Sequence, residues 1–206
     1  MQRSMIGDFM IATNVVRSAF CSLFVFSGTS NPALATDCSA WAQFSSKDPA
    51  LQPQSVSVSD IQNYINGLAT SEGVVFDIEQ KDTELWIDIV YVPDNATVIS
   101  GLRAVMQIGR LVSGDFEKVV LSDDGKGIYQ LPEPKVREIG CQFIWGAEGG
   151  QNPIYLIRVF FENLELYPDA QRAVSGFTGH LMGDTNVAME YHNNQFATQW
   201  LLSALQ

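Results

Sequence analysis

Between residues 84 and 92 the chain alternates. Leu85, Ile87, Ile89 and Tyr91 fall on one side of an extended backbone; Glu84, Trp86 and Asp88 fall on the other. A period of two in β-branched and aromatic residues predicts a half-buried strand. Upstream, Val74, Phe76 and Ile78 alternate with Val75, Asp77 and Glu79. Turning the chain at Lys81-Asp82 sets Ile78 against Leu85, Phe76 against Ile87 and Val74 against Ile89, so the apolar sides coincide. The opposite side then pairs Glu79 with Glu84, Asp77 with Trp86 and Val75 with Asp88. It is acidic near the turn and apolar toward Val90 and Val92, which implies a second, partly covered face.

Helical spacing frames this hairpin. Ser59 is placed to cap a helix, with Asp60 in its first turn and Ile61, Tyr64, Ile65 and Leu68 on one side. Pro93 ends the strand. Asp94 or Asn95 then opens a helix to about Ser113, with Val98, Ile99, Leu102, Val105, Met106, Gly109 and Val112 on one stripe. Gly114 fits a left-handed stop. Arg103 and Arg110 share a face of this helix and read as solvated. A second hairpin, 116–121 with 127–131, turns at Asp124-Gly125, a strong type I′ signal. Both its faces carry apolar residues.

The last third reads as helical. Pro134 begins a helix carrying Val136, Ile139 and Phe143. A glycine-rich loop covers 146–151. Asn152-Pro153 is a cap followed by a first-turn proline for an almost wholly apolar helix over 154–161. Tyr167-Pro168-Asp169 breaks that helix, and residues 170–205 read as one or two more, weakened at Gly176, Gly179 and Gly183. The expected fold is therefore α+β. It has a four-stranded, largely antiparallel sheet built from two hairpins (about 73–92 and 116–131), helices packed on it, and an all-helical C-terminal third. The order of elements resembles that of type III secretion chaperone-like folds; no residue motif carries the likeness and no family is assigned from it.

The N-terminus changes the compartment. Arg17 precedes an apolar run over 18–26, followed by Gly28, Pro32 and Ala33-Leu34-Ala35. A cationic flank, an apolar core and an Ala-x-Ala site predict a secretory signal peptide cut after Ala35. A nine-residue run gives a helix of roughly 14 Å, too short for a hydrocarbon core about 30 Å thick, so no stable membrane insertion is expected. The long n-region containing Asp8 makes Met10 a more ordinary start. The domain plan is a cleaved leader (1–35), a polar connecting arm (36–58) and one α+β domain (59–206). Export to a periplasmic or extracellular compartment makes Cys38 and Cys141, the pair remaining after Cys21 leaves with the leader, candidates for a disulfide. It would close a loop of about a hundred residues, for which chain entropy gives ~4.7 kcal/mol.

Charge and composition narrow the function by exclusion. The formal charge is −11, and 46% of residues are hydrophobic. An acidic globular chain repels phosphate backbones, so nucleic acid and anionic lipid are poor partners. No Gly-x-Ser-x-Gly occurs, and His180 and His192 are the only imidazoles, so no catalytic residue is assigned. His180 and Asp184 are one helical turn apart, but on a glycine-interrupted tract and without a third ligand. No metal and no cofactor is assigned. His192 shares a face with Met189, Phe196 and Trp200 and reads as packed.

Three residues stand out as ligand or partner contacts. Arg158 is a guanidinium in an apolar helix and needs a carboxylate or carbonyl partner. Trp145 flanks the glycine loop. Trp86 sits among Asp77, Glu79, Glu84 and Asp88, where weak cation binding is conceivable. The leading expectation is an exported, non-enzymatic protein that binds another envelope or secreted protein through an exposed part of the sheet or the helical third. A second is a module for a small apolar or lipidic molecule held between sheet and C-terminal helices, with Tyr155, Phe160 and Trp200 as lining. A third is a carboxylate- or metal-dependent hydrolase near His180 and Asp184.

Overall fold

The computed structural model describes residues 55–97, 99–148 and 153–203, and side chains within these except 144–148, 153 and 154. The described residues all belong to one compact unit. The segment expected to be a signal peptide, Cys38 and most of the expected connecting arm lie outside them.

Strand β1 (Val56–Ser57) leads into α1 (Val58–Asn66), and a short 3-10 turn (Ala69–Ser71) precedes the first hairpin, β2 (Val75–Lys81) and β3 (Glu84–Tyr91). Helix α2 (Ser100–Leu111) runs straight into β4 (Val112–Ser113). The second hairpin is β5 (Lys118–Asp123) and β6 (Lys126–Pro132). Helices α3 (Glu133–Glu148) and α4 (Pro153–Asn163) follow, then the two-residue strands β7 (Glu165–Leu166) and β8 (Gln171–Arg172). Helix α5 (Leu181–Tyr191) continues as a π-helix over His192–Leu201.

The sheet has six strands rather than four, in the order β2-β3-β5-β6-β7-β8. The pairings are antiparallel except β3 with β5, which run parallel because α2 crosses between them. A separate parallel pair joins β1 to β4, so the end of the arm is part of the domain. The C-terminal third is only partly helical. Residues 165–172 are short strands that extend the sheet beyond β6, where Tyr129 and Gln130 pair with Leu166 and Glu165. A two-residue strand has too few positions for alternation to register in the sequence.

Both strand pairs form, but the first turns one step later than expected. Lys81 pairs with Glu84, Ile78 with Ile87 and Phe76 with Ile89, so the loop is Asp82-Thr83. Asp82 takes the left-handed backbone (φ 53°), which an aspartate tolerates. The shift is by two residues, so side chains through Ile89 keep their faces. A bulge opposite Val75 and Phe76 then turns Tyr91 outward and Val92 into the core, against the expected alternation. The second turn is as expected: Asp124 and Gly125 both have positive φ (50° and 71°), and Asp123 pairs with Lys126.

One face of the sheet is the core. Phe76, Leu85, Ile87, Leu121, Tyr129 and Leu131 are fully buried there in one cluster with residues from all five helices. Each such side chain contributes about 1.5–3 kcal/mol relative to exposure. Helices α2 and α3 cross in close contact. A Cβ on Gly140 would lie 2.5 Å from the Arg110 nitrogen, and one on Gly109 would strike Val136. Only glycine permits that approach. Arg110 is consequently only 5% exposed rather than solvated, and desolvation lowers its pKa while Tyr64 opposes the shift.

Helix α2 starts at Ser100, later than the Asp94–Asn95 position expected, because its cap is not local. The Glu72 carboxylate accepts hydrogen bonds from the Thr97 N–H (2.8 Å), the Thr97 hydroxyl (2.8 Å) and the Ser100 hydroxyl (2.6 Å), and it pairs with Arg103 at 2.9 Å. Helix α1 likewise begins at Val58, with Ser57 rather than Ser59 as its N-cap residue.

Candidate functional site

The period of two that buries one sheet face builds the site on the other. Across the outer face Glu79, Trp86, Val120, Gln130, Glu165 and Arg172 stand in one cross-strand row. The neighbouring row sets Asp77 against Asp88 and Asp88 beside Ser122. The parallel pairing of β3 with β5 then brings the type I′ turn of the second hairpin alongside. The result is an open trough of about 430 Å³, with Trp86 and Ser122 in its lining and carboxylates from Asp77, Glu79, Asp88, Asp123 and Asp124.

Neighbours fix the trough's geometry. The Gly125 N–H donates to Asp88 Oδ2 at 2.8 Å, and the Ser122 hydroxyl donates to the same oxygen at 3.3 Å. The Trp86 indole N–H donates to Glu84 Oε2 at 3.0 Å, and the Tyr167 hydroxyl reaches that oxygen at 3.4 Å. Tyr167 meets the indole edge-on, centroids 5.4 Å apart. Lys118 pairs with Glu84 at 2.9 Å. Partial burial raises the Glu84 carboxyl, but hydrogen bonds from Lys118 and Trp86 and the Lys118 charge outweigh it, leaving its pKa below the ordinary 4.5. Trp86 is therefore held in one orientation. Over its ring sits an ammonium: Lys81 Nζ is 4.1 Å from the indole centroid and 2.5 Å from Glu79 Oε1.

Beyond the trough the same surface is apolar. Val90 is 60% exposed and Tyr91 55%, and Val75 pairs with Tyr91 across the hairpin's open end. The free edge of β2 is covered. The Phe76 N–H donates to the Asn66 side chain, which donates back to the Phe76 carbonyl, and the Ile78 N–H donates to Gln62. Helix α1 thereby satisfies groups that would otherwise template another strand.

The other candidates lie apart from Trp86. Arg158, on α4, pairs with Glu162 at 3.2 Å and Asp184 at 3.7 Å. Asp184 is 1% exposed and accepts from the Thr178 N–H, the Thr178 hydroxyl and the Gly179 N–H. These bonds, the Thr178 N–H foremost, lower its pKa despite desolvation. Three hydrogen bonds and the Arg158 charge already engage this buried carboxylate. His180 precedes α5 at an exposed position, its carbonyl accepting from the Asp184 N–H at 2.9 Å. His192 is buried, stacked on Phe196. The side chain of Trp145 and the loop 149–152 lie outside the described residues, as does Cys38; Cys141 is buried on α3.

Between sheet and C-terminal helices, Phe160, Phe161, Tyr191, Phe196 and Trp200 pack ring against ring. Tyr129 joins them, donating to Gln199 and accepting from Tyr191; burial raises its pKa. An apolar cavity among α2, α3 and α4 holds about 60 Å³, well below the ≈ 300 Å³ at which ligand pockets begin. An open cleft of about 320 Å³ lies between residues 173–175 and the last helical stretch, around Val187, Tyr191 and Gln195. Among the described residues no three His, Cys, Asp or Glu side chains are grouped to hold a metal ion. No described helix is long and apolar enough to cross a membrane.

Sequence reasoning found Trp86, Asp77, Glu79 and Asp88 but not the contribution of Asp123 and Asp124. The Asp-Gly turn was legible; its position beside β3 was not, because parallel pairing leaves no local signature. No family model, no curated protein and no solved structure matches this chain.

Proposed function

We propose that this chain is an exported, non-enzymatic protein that holds a segment of another envelope or secreted protein on the outer face of its sheet. The carrying observation is the trough around Trp86, an oriented indole among five carboxylates, continuous with exposed Val75, Val90 and Tyr91. An aromatic anchor with an apolar flank and a polar rim is the usual anatomy of a recognition surface. The export part of the reading rests on Arg17, the apolar run over 18–26 and Ala33-Leu34-Ala35. The non-enzymatic part is supported by the structural engagement of Asp184 with Thr178, Gly179 and Arg158.

The test is a photo-crosslinking residue at position 90, introduced in the native host. One discrete adduct is expected. It should be absent when the crosslinker replaces Glu190 on α5, and lost in Trp86→Ala. Absence of any adduct at position 90 sinks the reading.

A further inference from the structure

We infer that the segment taken up by this face is basic and apolar, with a lysine or arginine seated on the Trp86 ring in the place Lys81 now holds and apolar side chains against Val90 and Tyr91. This rests on the proposed docking face and specifies its occupant. Lys81 already shows the binding mode. Its ammonium lies over the indole and against Glu79, the arrangement in which aromatic faces and carboxylates together hold cations. Lys81 and Glu79 are both exposed, so the contact is screened and exchangeable.

The remaining charge is uncompensated. Among the described residues Asp77, Asp88, Asp123 and Asp124 make no ion pair with a lysine or arginine, although they share one trough. A cationic segment would be steered to it and an acidic one repelled. A purely polar cation would leave Val75, Val90 and Tyr91 bare, so the same segment carries apolar residues. The like-charged face of a second copy would be repelled by the same charges. The covered β2 edge directs recognition to the face, through side chains, rather than to strand addition at Phe76 and Ile78.

The probes are three labelled synthetic nonapeptides alternating lysine with leucine, glutamate with leucine, and lysine with serine. Each is titrated against the full chain by fluorescence anisotropy. The lysine–leucine peptide is expected to bind at least tenfold more tightly than either of the others. Trp86→Ala and Asp77→Lys should each weaken it tenfold or more, while Glu190→Lys, the same change in net charge on α5, changes it less than twofold. Lys81→Ala should tighten it several-fold by vacating the ring. Equal losses from Asp77→Lys and Glu190→Lys would reduce the effect to net charge and overturn the inference, as would weaker binding in Lys81→Ala. Preferential binding of the glutamate–leucine peptide, lost in Trp86→Ala, would keep the docking face and discard the cationic occupant. A discrete crosslink at position 90 with no peptide binding would do the same.

Discussion

Asp77 stands directly opposite Asp88 across β2 and β3, and only Asp88 is tied down, by the Gly125 N–H and the Ser122 hydroxyl. Like charges facing each other across a sheet are destabilising by about 0.2–1 kcal/mol. The fold accepts that cost on a surface where both residues line the trough. Asp77→Asn is therefore expected to stabilise the protein by about that amount in low salt. In 1 M salt, where the Debye length is about 3 Å, the gain should largely vanish. Urea midpoints at the two salt concentrations check this; a gain that ignores salt would mean the two carboxylates do not repel.

The Glu72 knot predicts a pH window. Its hydrogen bonds, from Ser100 first and then Thr97, bring the Glu72 pKa from 4.5 down to about 2. The folded state thus releases this proton more readily than the unfolded chain does. The contribution is present in full above about 4.5 and is lost as pH falls through about 2. Glu72→Gln should lower stability at neutral pH and flatten its decline between pH 4.5 and 2. A variant whose acid profile parallels the unaltered protein would show that the carboxylate does not hold the start of α2.

At the α2–α3 crossing, Gly140 and Gly109 leave no room for a methyl group against the Arg110 nitrogen and Val136. Gly140→Ala is expected to cost about 1–3 kcal/mol, the range for overpacking a well-filled interior. Gly183→Ala, on α5 with open space around its Cα, should be neutral or slightly stabilising. Chemical denaturation of the pair separates the two cases; equal effects would mean the crossing is looser than described.

Asp184 and His180 should behave oppositely to a hydrolase pair. Asp184→Ala removes the acceptor for Thr178 and Gly179 and a charge partner of the half-buried Arg158, so the melting temperature should fall clearly. His180→Ala, at an exposed position, should leave it unchanged. Thermal melts give both values. A large loss for His180→Ala would reopen a coupled role for the two.

The reading of the leader and the cysteines makes a mass prediction. Protein purified from its native host should begin after Ala35, and proteolytic fragments containing Cys38 and Cys141 should be joined until reduced. Peptide mapping before and after reduction reads both; recovery of Met1 or of separate fragments would count against them.

Local chemistry alone determined a good deal. Alternation announced β2 and β3 and assigned the faces through Ile89, since a slip of two residues leaves faces unchanged; it did not announce the bulge that turns Tyr91 outward and Val92 inward. Asp124-Gly125 announced a type I′ turn, and the apolar stripes announced α2 and α4. Composition pointed to a single acidic globular domain. Only the tertiary structure decided that β3 and β5 run parallel, which sets the second turn beside Trp86 and completes the trough. It alone supplied the cap of α2, since Glu72 reaches Ser100 across the loop and hairpin between them. It alone buried Arg110, whose neighbour Gly109 lets α3 close over it. These are contacts between residues distant in sequence, and the pattern of any single segment carries no record of which other segment will pack against it.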